Sequence, residues 1–330
     1  MSMFAEAVEA ILQTHCTPAQ VRAIEGGASP QPLTAALQDG GFLELLAPEE
    51  AGGGGAGWPD FHDVVTLCGA WAVPIPLAQT LAARLLVQPG ETLPAGLITF
   101  APALQRAADG ALQAQHVPGG RAAGHVIAAL GDRLVLLATS EAQQLPSGVH
   151  GSMAASFRWQ GDAGRVLAGA LPAADLQPLA ALLHAALLAG AMKRTFDLTM
   201  GYANDRVQFG KAIGKFQAIQ HQLSVMAEHV AAARMASQAA FGRGAERPAW
   251  PACAVAKART SEAAQLVATI AHAVHGAIGV TEEYDLQLYT RRLHEWRMAH
   301  GSESHWNRAL GRLFVDSDAP LAADFVRGLL

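Results

Sequence analysis

The 330-residue sequence predicts a mainly α protein in three parts: an N-terminal helical domain over residues 1-92, a small β domain over 93-170 and a C-terminal four-helix bundle over 171-330. Three observations carry this expectation. Apolar residues recur three and four apart along the first part of the chain; between Leu93 and Gly169 short apolar runs cut by Gly, Pro and Asp replace that spacing; beyond Asp175 it returns in longer segments. One core seldom serves a chain of this length. With 51% of residues apolar and only 15% charged, extensive buried surface and an oligomer are expected.

The chain opens with a helix through Phe4, Val8, Ile11 and Leu12. A second starts at Thr17-Pro18, where a capping residue precedes a proline suited to the first turn. Leu33 to Leu46 continues the pattern with a break at Gly40-Gly41. The glycine run from Ala51 to Gly57 reads as a flexible loop and lacks the Gly-Lys-Ser/Thr ending of a phosphate-binding P-loop. Helices follow over Phe61 to Ala72 and, past the turn Val73 to Pro76, over Leu77 to Val87. Leu97 to Phe100, His125 to Ala128 and Leu134 to Leu137 read as strands, the last two joined around Gly131-Asp132, with Phe157 to Gln160 as a fourth. In the bundle, Phe216, Ile219, Leu223, Met226 and Val230 mark one inner face, and Leu266, Ile270 and Val274 another that ends near Gly276. The segment Phe241 to Pro248 separates the two, and shorter helices are expected over Tyr284 to Met298 and Glu303 to Phe314.

Composition also narrows the function. The net charge of -5, without a Lys/Arg-dense tract, gives no footprint for nucleic acid or an anionic membrane. The N-terminus has no basic segment followed by an apolar one, and no run reaches about 18 uninterrupted apolar residues, so neither export nor membrane insertion is expected. Cys16, Cys68 and Cys253 show no metal-ligand or redox-pair spacing; no metal is expected, and they read as reduced thiols in a cytoplasmic protein.

The most informative stretch runs from Asp205 to Gln217. Arg206 and Lys211 bracket a Gly-containing turn between two long helices, where a guanidinium can meet an anion with two N–H groups. Gln217 stands in the first turn of the following helix, at the positive end of its dipole. A second stretch, Val274 to Tyr284, closes a helix with small residues that permit close backbone approach. Together the two resemble the C-terminal helical domain of the FAD-dependent acyl-CoA dehydrogenases, from about Ala180 to Arg312, and the words from Gly41 to Gly53 resemble that family's first helical domain.

The resemblance implies an acyl-CoA dehydrogenase-like fold assembled as dimers or tetramers. It implies FAD as cofactor, an acyl-CoA thioester as substrate and electron-transferring flavoprotein as acceptor. Arg206 would meet the FAD diphosphate bound mainly by a neighbouring subunit; Phe209 and Gln217 would flank the adenosine half; Gly276 and the backbone around Ala277 would reach the same nucleotide. The sequence also departs from the family. Ala273 and Ala277 stand where glutamine and a second glycine are usual, which removes one polar contact. The glutamate that usually takes the proton α to the thioester carbonyl is replaced by His300, and the alternative glutamate position falls on Ala180. His300 can act as a base because imidazole titrates near neutrality; His184, one turn beyond Ala180, is a second candidate. Glu303 is expected to cap or solvate the last helix, and Glu282-Glu283 and Arg291-Arg292 to form exposed or interface pairs. The threonine-rich strand and acidic glycine-serine loop that contact the flavin ring in the family are missing between Leu93 and Gly169. Short members of this kind resemble the smaller subunits of heteromeric acyl-CoA dehydrogenases acting on bulky thioesters. Three readings follow: a dehydrogenase, as a homo-oligomer or with a larger homologue; a structural partner without its own base; or a lyase or hydratase on the same scaffold.

Overall fold

The computed structural model describes residues 2–88, 90–242, 248–319 and 321–329. It divides into two compact units, Met1–Cys68 with Val73–Leu183, and Gly69–Ala72 with His184–Leu330.

The first unit begins with α1 (Met3–His15) and α2 (Pro18–Glu25). Thr17 caps α2 as expected, and Gln20 returns the contact: its side-chain Oε1 accepts from the Thr17 amide at 2.8 Å. Then come α3 (Gln31–Asp39), α4 (Trp58–Ala70) and α5 (Leu77–Ala82), which continues as a 3-10 turn over Ala83–Leu86. The glycine run is not the flexible loop its composition suggests. The amides of Gly53, Gly54, Gly55 and Ala56 donate to the carbonyls of Pro48, Glu44, Ala47 and Leu45. A Cβ on Gly53 would lie 2.2 Å from the Ala47 oxygen, so glycine serves close packing here.

Two four-stranded sheets complete the unit. The strands are β1 (Ile98–Ala101), β2 (Gln105–Arg106), β3 (Leu112–Val117), β4 (His125–Leu130), β5 (Arg133–Ala138), β6 (Gln143–Pro146), β7 (Ala155–Trp159) and β8 (Arg165–Val166). One sheet has the order β1-β4-β5-β8 and the other β2-β3-β7-β6; among the described residues only the β1-β4 pair is parallel. Leu112, Ala114, Phe157 and Trp159 of the second sheet share a core with Val126, Ala128, Val135 and Leu137 of the first. The Trp159 indole N–H donates across it to the Ala138 carbonyl at 2.8 Å.

The helices of the bundle are α6 (Leu176–Asp205), α7 (Gln217–Phe241), α8 (Trp250–His275), α9 (Leu286–Met298), α10 (Glu303–Val315) and α11 (Ala322–Leu329). In the second unit α8 packs against α7, α9 and α10. The expected Phe241 to Pro248 interruption falls largely outside the described residues. Among the described residues, Ala173–Asp205 and Trp250–Val280 are long and apolar enough to cross a membrane, but 83% and 50% of their most apolar windows are buried within the protein. Arg292 also differs from expectation. It is 6% exposed, donates to the Leu288 carbonyl at 3.0 Å and lies over the Trp296 ring.

Candidate functional site

Where α6 ends, Arg206 leads into a small hairpin of β9 (Val207–Gln208) and β10 (Lys211–Ala212). Gln208 pairs with Lys211, so the turn consists of Phe209 and Gly210, both at positive φ (52° and 80°). A two-residue hairpin favours that combination, and glycine adopts it without strain while phenylalanine does not. The hairpin is tied back through the Arg206 amide to the Tyr202 carbonyl at 2.9 Å and the Ile213 amide to the Arg206 carbonyl at 2.8 Å. Phe209 is 93% exposed and meets Phe216 edge to face; Lys211 Nζ lies 4.3 Å from the Phe216 ring centre. Phe216 is also the N-cap of α7, so Gln217 opens that 25-residue helix, whose N-terminus carries no side-chain cap. The exposed Arg206 guanidinium makes no ion pair or hydrogen bond among the described residues. An unpaired cation beside the open start of a long helix is a site for an anion.

The end of α8 is tied to this corner by aromatic rings. His275 stacks on Tyr202 with centroids 4.5 Å apart, and Tyr284 covers both at 5.1 and 6.0 Å. His275 Nδ1 bonds the Ala271 carbonyl at 2.7 Å, while its buried Nε2 has no partner among the described residues. Burial holds this imidazole below its usual pKa and raises the Tyr284 phenol. Next, Gly276 adopts φ +65° and ψ -145°, with Ala277 exposed beside it, and a Cβ on Gly276 would meet nothing within 4 Å. The structure therefore brings Arg206, Phe209 and Gln217 to one corner and links Gly276 and Ala277 to it through Tyr202 and His275.

His300 lies elsewhere, in the turn between α9 and α10. Its backbone has φ +55° and the following Gly301 φ +102°; for a non-glycine residue such geometry costs of order 1–3 kcal/mol and is kept only where neighbours impose it. Its ring meets that of His184 on α6 at 4.7 Å, and His184 in turn meets Trp296 at 6.4 Å. His300 Nε2 is shut off from solvent and has no partner among the described residues. Burial, the neighbouring His184 and the Lys257 charge, in that order, keep the imidazole well below its ordinary pKa, so it is neutral at physiological pH. Ala180, the alternative carboxylate position, is buried and brings no acid. Glu303 accepts from Arg297 Nε at 3.0 Å and also pairs with Nη2, a bidentate bridge that lowers its pKa.

Sequence reasoning missed Lys257. This fully buried side chain on α8 donates to Ser261 Oγ at 2.7 Å and to the carbonyls of Arg297 and Gly301, both at 2.8 Å. Its available signal was a lysine four residues before a serine in an alanine-rich helix. Tyr202, the link between the two cofactor stretches, was also missed.

Comparison with known proteins gives these features a family. Residues 178–312 match the model of the acyl-CoA dehydrogenase C-terminal domain. The chain is 34% identical over 307 residues to acyl-CoA dehydrogenase IpdE2 of Mycolicibacterium smegmatis, covering 88% of this chain and 90% of that protein. It is 31% identical to acyl-CoA dehydrogenase FadE34 of Mycobacterium tuberculosis over 88% of its own length but 43% of the relative's. Among solved structures, a chain of the ChsE4-ChsE5 complex of Mycobacterium tuberculosis superposes with a TM-score of 0.84 at 24% identity, covering 97% of this chain and 99% of that one. The helical N-terminal part, small β region and C-terminal helices are thus the family's fold, and the chain belongs to the acyl-CoA dehydrogenase family.

Proposed function

We propose that the chain is a subunit of a cytoplasmic FAD-dependent acyl-CoA dehydrogenase, acting on the α and β carbons of an acyl-CoA thioester in assembly with a larger homologue. The observation that carries this reading is the corner at Arg206. An unpaired guanidinium, an uncapped helix start and an open glycine turn fit the phosphates of a dinucleotide. Arg206 would hold the diphosphate, Phe209 and Gln217 the adenosine half, and Gly276 and Ala277 the nucleotide backbone. FAD supplies a hydride acceptor for the β carbon when bound. His300, which stands where the family carries its glutamate, would receive the α proton. Two findings support a heteromer: one structural neighbour is itself a complex of two named chains, and FadE34 carries more sequence beyond the part this chain matches than within it. Electron-transferring flavoprotein is the proposed acceptor.

A second reading, a partner subunit that lacks its own base, is favoured by the occlusion of His300 Nε2 and its weakened basicity. Purification with and without a co-expressed larger homologue tests the proposal: a yellow complex is expected only from the pair, and its flavin should bleach on meeting its thioester. Arg206→Ala should strip the flavin, and unaltered flavin content would refute the assignment. His300→Gln separates the two readings, since only the first requires turnover to fall.

A further inference from the structure

We infer that Lys257 is a positioning residue: its ammonium holds the turn between α9 and α10 in the conformation that sets the His300 ring against His184. The inference deepens the reading in which His300 faces the substrate's α carbon. Three acceptors converge on one nitrogen. The carbonyls of Arg297 and Gly301 bracket His300 in sequence, and both lie 2.8 Å from Lys257 Nζ; Ser261 Oγ, one helical turn along α8, lies at 2.7 Å. Ser261 in turn donates to the Arg297 carbonyl at 3.3 Å. An ammonium has three N–H donors, so a fully buried lysine is satisfied here without a carboxylate in direct contact.

The turn needs such a hold because His300 and Gly301 are both left-handed. Trp306 of α10 adds a second tie, its indole N–H donating to the His300 carbonyl at 3.2 Å, and the Arg297-Glu303 pair closes the turn. The charged and titratable groups around the amine are Glu303 on α10, Arg297 on α9 and His300 in the turn, with His184 of α6 against the His300 ring. Burial opposes the ammonium, Glu303 favours it and Arg297 opposes it, in that order; burial and His184, and after them the ammonium, keep His300 neutral. One side chain thereby anchors the backbone that carries the imidazole and adds to the burial and the His184 ring that hold it neutral.

The test follows the His300 ring by NMR in the full-length chain labelled with 15N-histidine, its signals assigned by His300→Gln. In the native chain His300 should stay neutral well below the ordinary imidazole range. In Lys257→Met its midpoint should rise by about one pH unit as the neighbouring charge and the turn's anchor are lost. An unchanged titration overturns the inference. This reading needs no turnover, so failure of the proposed catalytic role of His300 remains distinguishable. In an assembly where His300→Gln lowers kcat, Lys257→Met should lower it about 10- to 100-fold with KM within about twofold; native kcat there also overturns the inference. Should Lys257→Met fail to fold, Lys257→Gln, neutral but with two N–H donors, carries the same measurements, and native values in it count against the inference.

Discussion

Gly69 and Gly201 should respond to the same substitution in opposite directions. A Cβ on Gly69 would lie 2.0 Å from the Leu187 carbonyl oxygen, 2.8 Å from its carbon and 3.0 Å from its Cα. Carbon and oxygen normally approach to about 3.3 Å, so Gly69→Ala must push two backbone segments apart by about 1.3 Å. No side-chain rotation can relieve a contact with backbone, which places the overpacking cost near about 3–4 kcal/mol. The better helix propensity of alanine returns about 1 kcal/mol, leaving a net loss of about 2–3 kcal/mol. Gly201, exposed on α6, has no heavy atom within 4 Å of the added carbon. Gly201→Ala should therefore gain about 0.5–1 kcal/mol from propensity alone. At about 2–4 °C per kcal/mol for a domain of this size, the first variant should melt about 4–12 °C below the native chain and the second about 1–4 °C above it. Circular dichroism at the helical minimum reads both. A Gly69→Ala protein as stable as the native one would refute the close approach, and a destabilised Gly201→Ala would refute the open face.

Other consequences are equally measurable. Burial brings Lys257 from 10.5 to about 7 in the folded chain, so between the folded and unfolded values the unfolded state binds the extra proton and stability should rise with pH across that window. Urea unfolding across that window should show the slope in the native chain and lose it in Lys257→Met. Thr17→Ala removes the hydroxyl that accepts from the Gln20 amide, leaving the Thr17 amide bonded to Gln20 Oε1, and should cost about 1 kcal/mol in the same assay. Arg206→Ala should weaken flavin retention about 10- to 100-fold, the equivalent of a lost charge-assisted contact, and Arg206→Lys should recover only part because it lacks the planar fork; flavin-to-protein ratios after dialysis decide.

The helices were legible because their cores are periodic: Leu223, Met226 and Val230 are buried along α7 as their spacing predicts. The β part was half legible. β4 and β5 carry continuous apolar runs joined at Gly131-Asp132, whereas β6 is exposed throughout, β2 and β8 are two residues long, and a register shift between Ala114 and Val117 breaks the alternation of β3. Composition misled at the glycine run, since conformational freedom and close packing both select glycine. At the site, Arg206, Gln217 and Gly276 stand in short local motifs. Lys257 could not be found that way, because its carbonyl partners lie 40 and 44 residues along the chain.

The length of α6 separates what one chain can do. His184 stands near its beginning, Arg206 follows its last residue, and at about 1.5 Å of rise per residue some 30 Å lies between them. That exceeds the distance from diphosphate to ring in a single flavin nucleotide, so under the proposed reading the guanidinium and the imidazole of one copy serve different cofactors. Each copy then lends its arginine to one centre and its histidine to another, and chains defective at opposite ends of the helix should complement each other. An oligomer mixed from Arg206→Ala and His300→Gln copies would regain some intact centres that neither parent possesses.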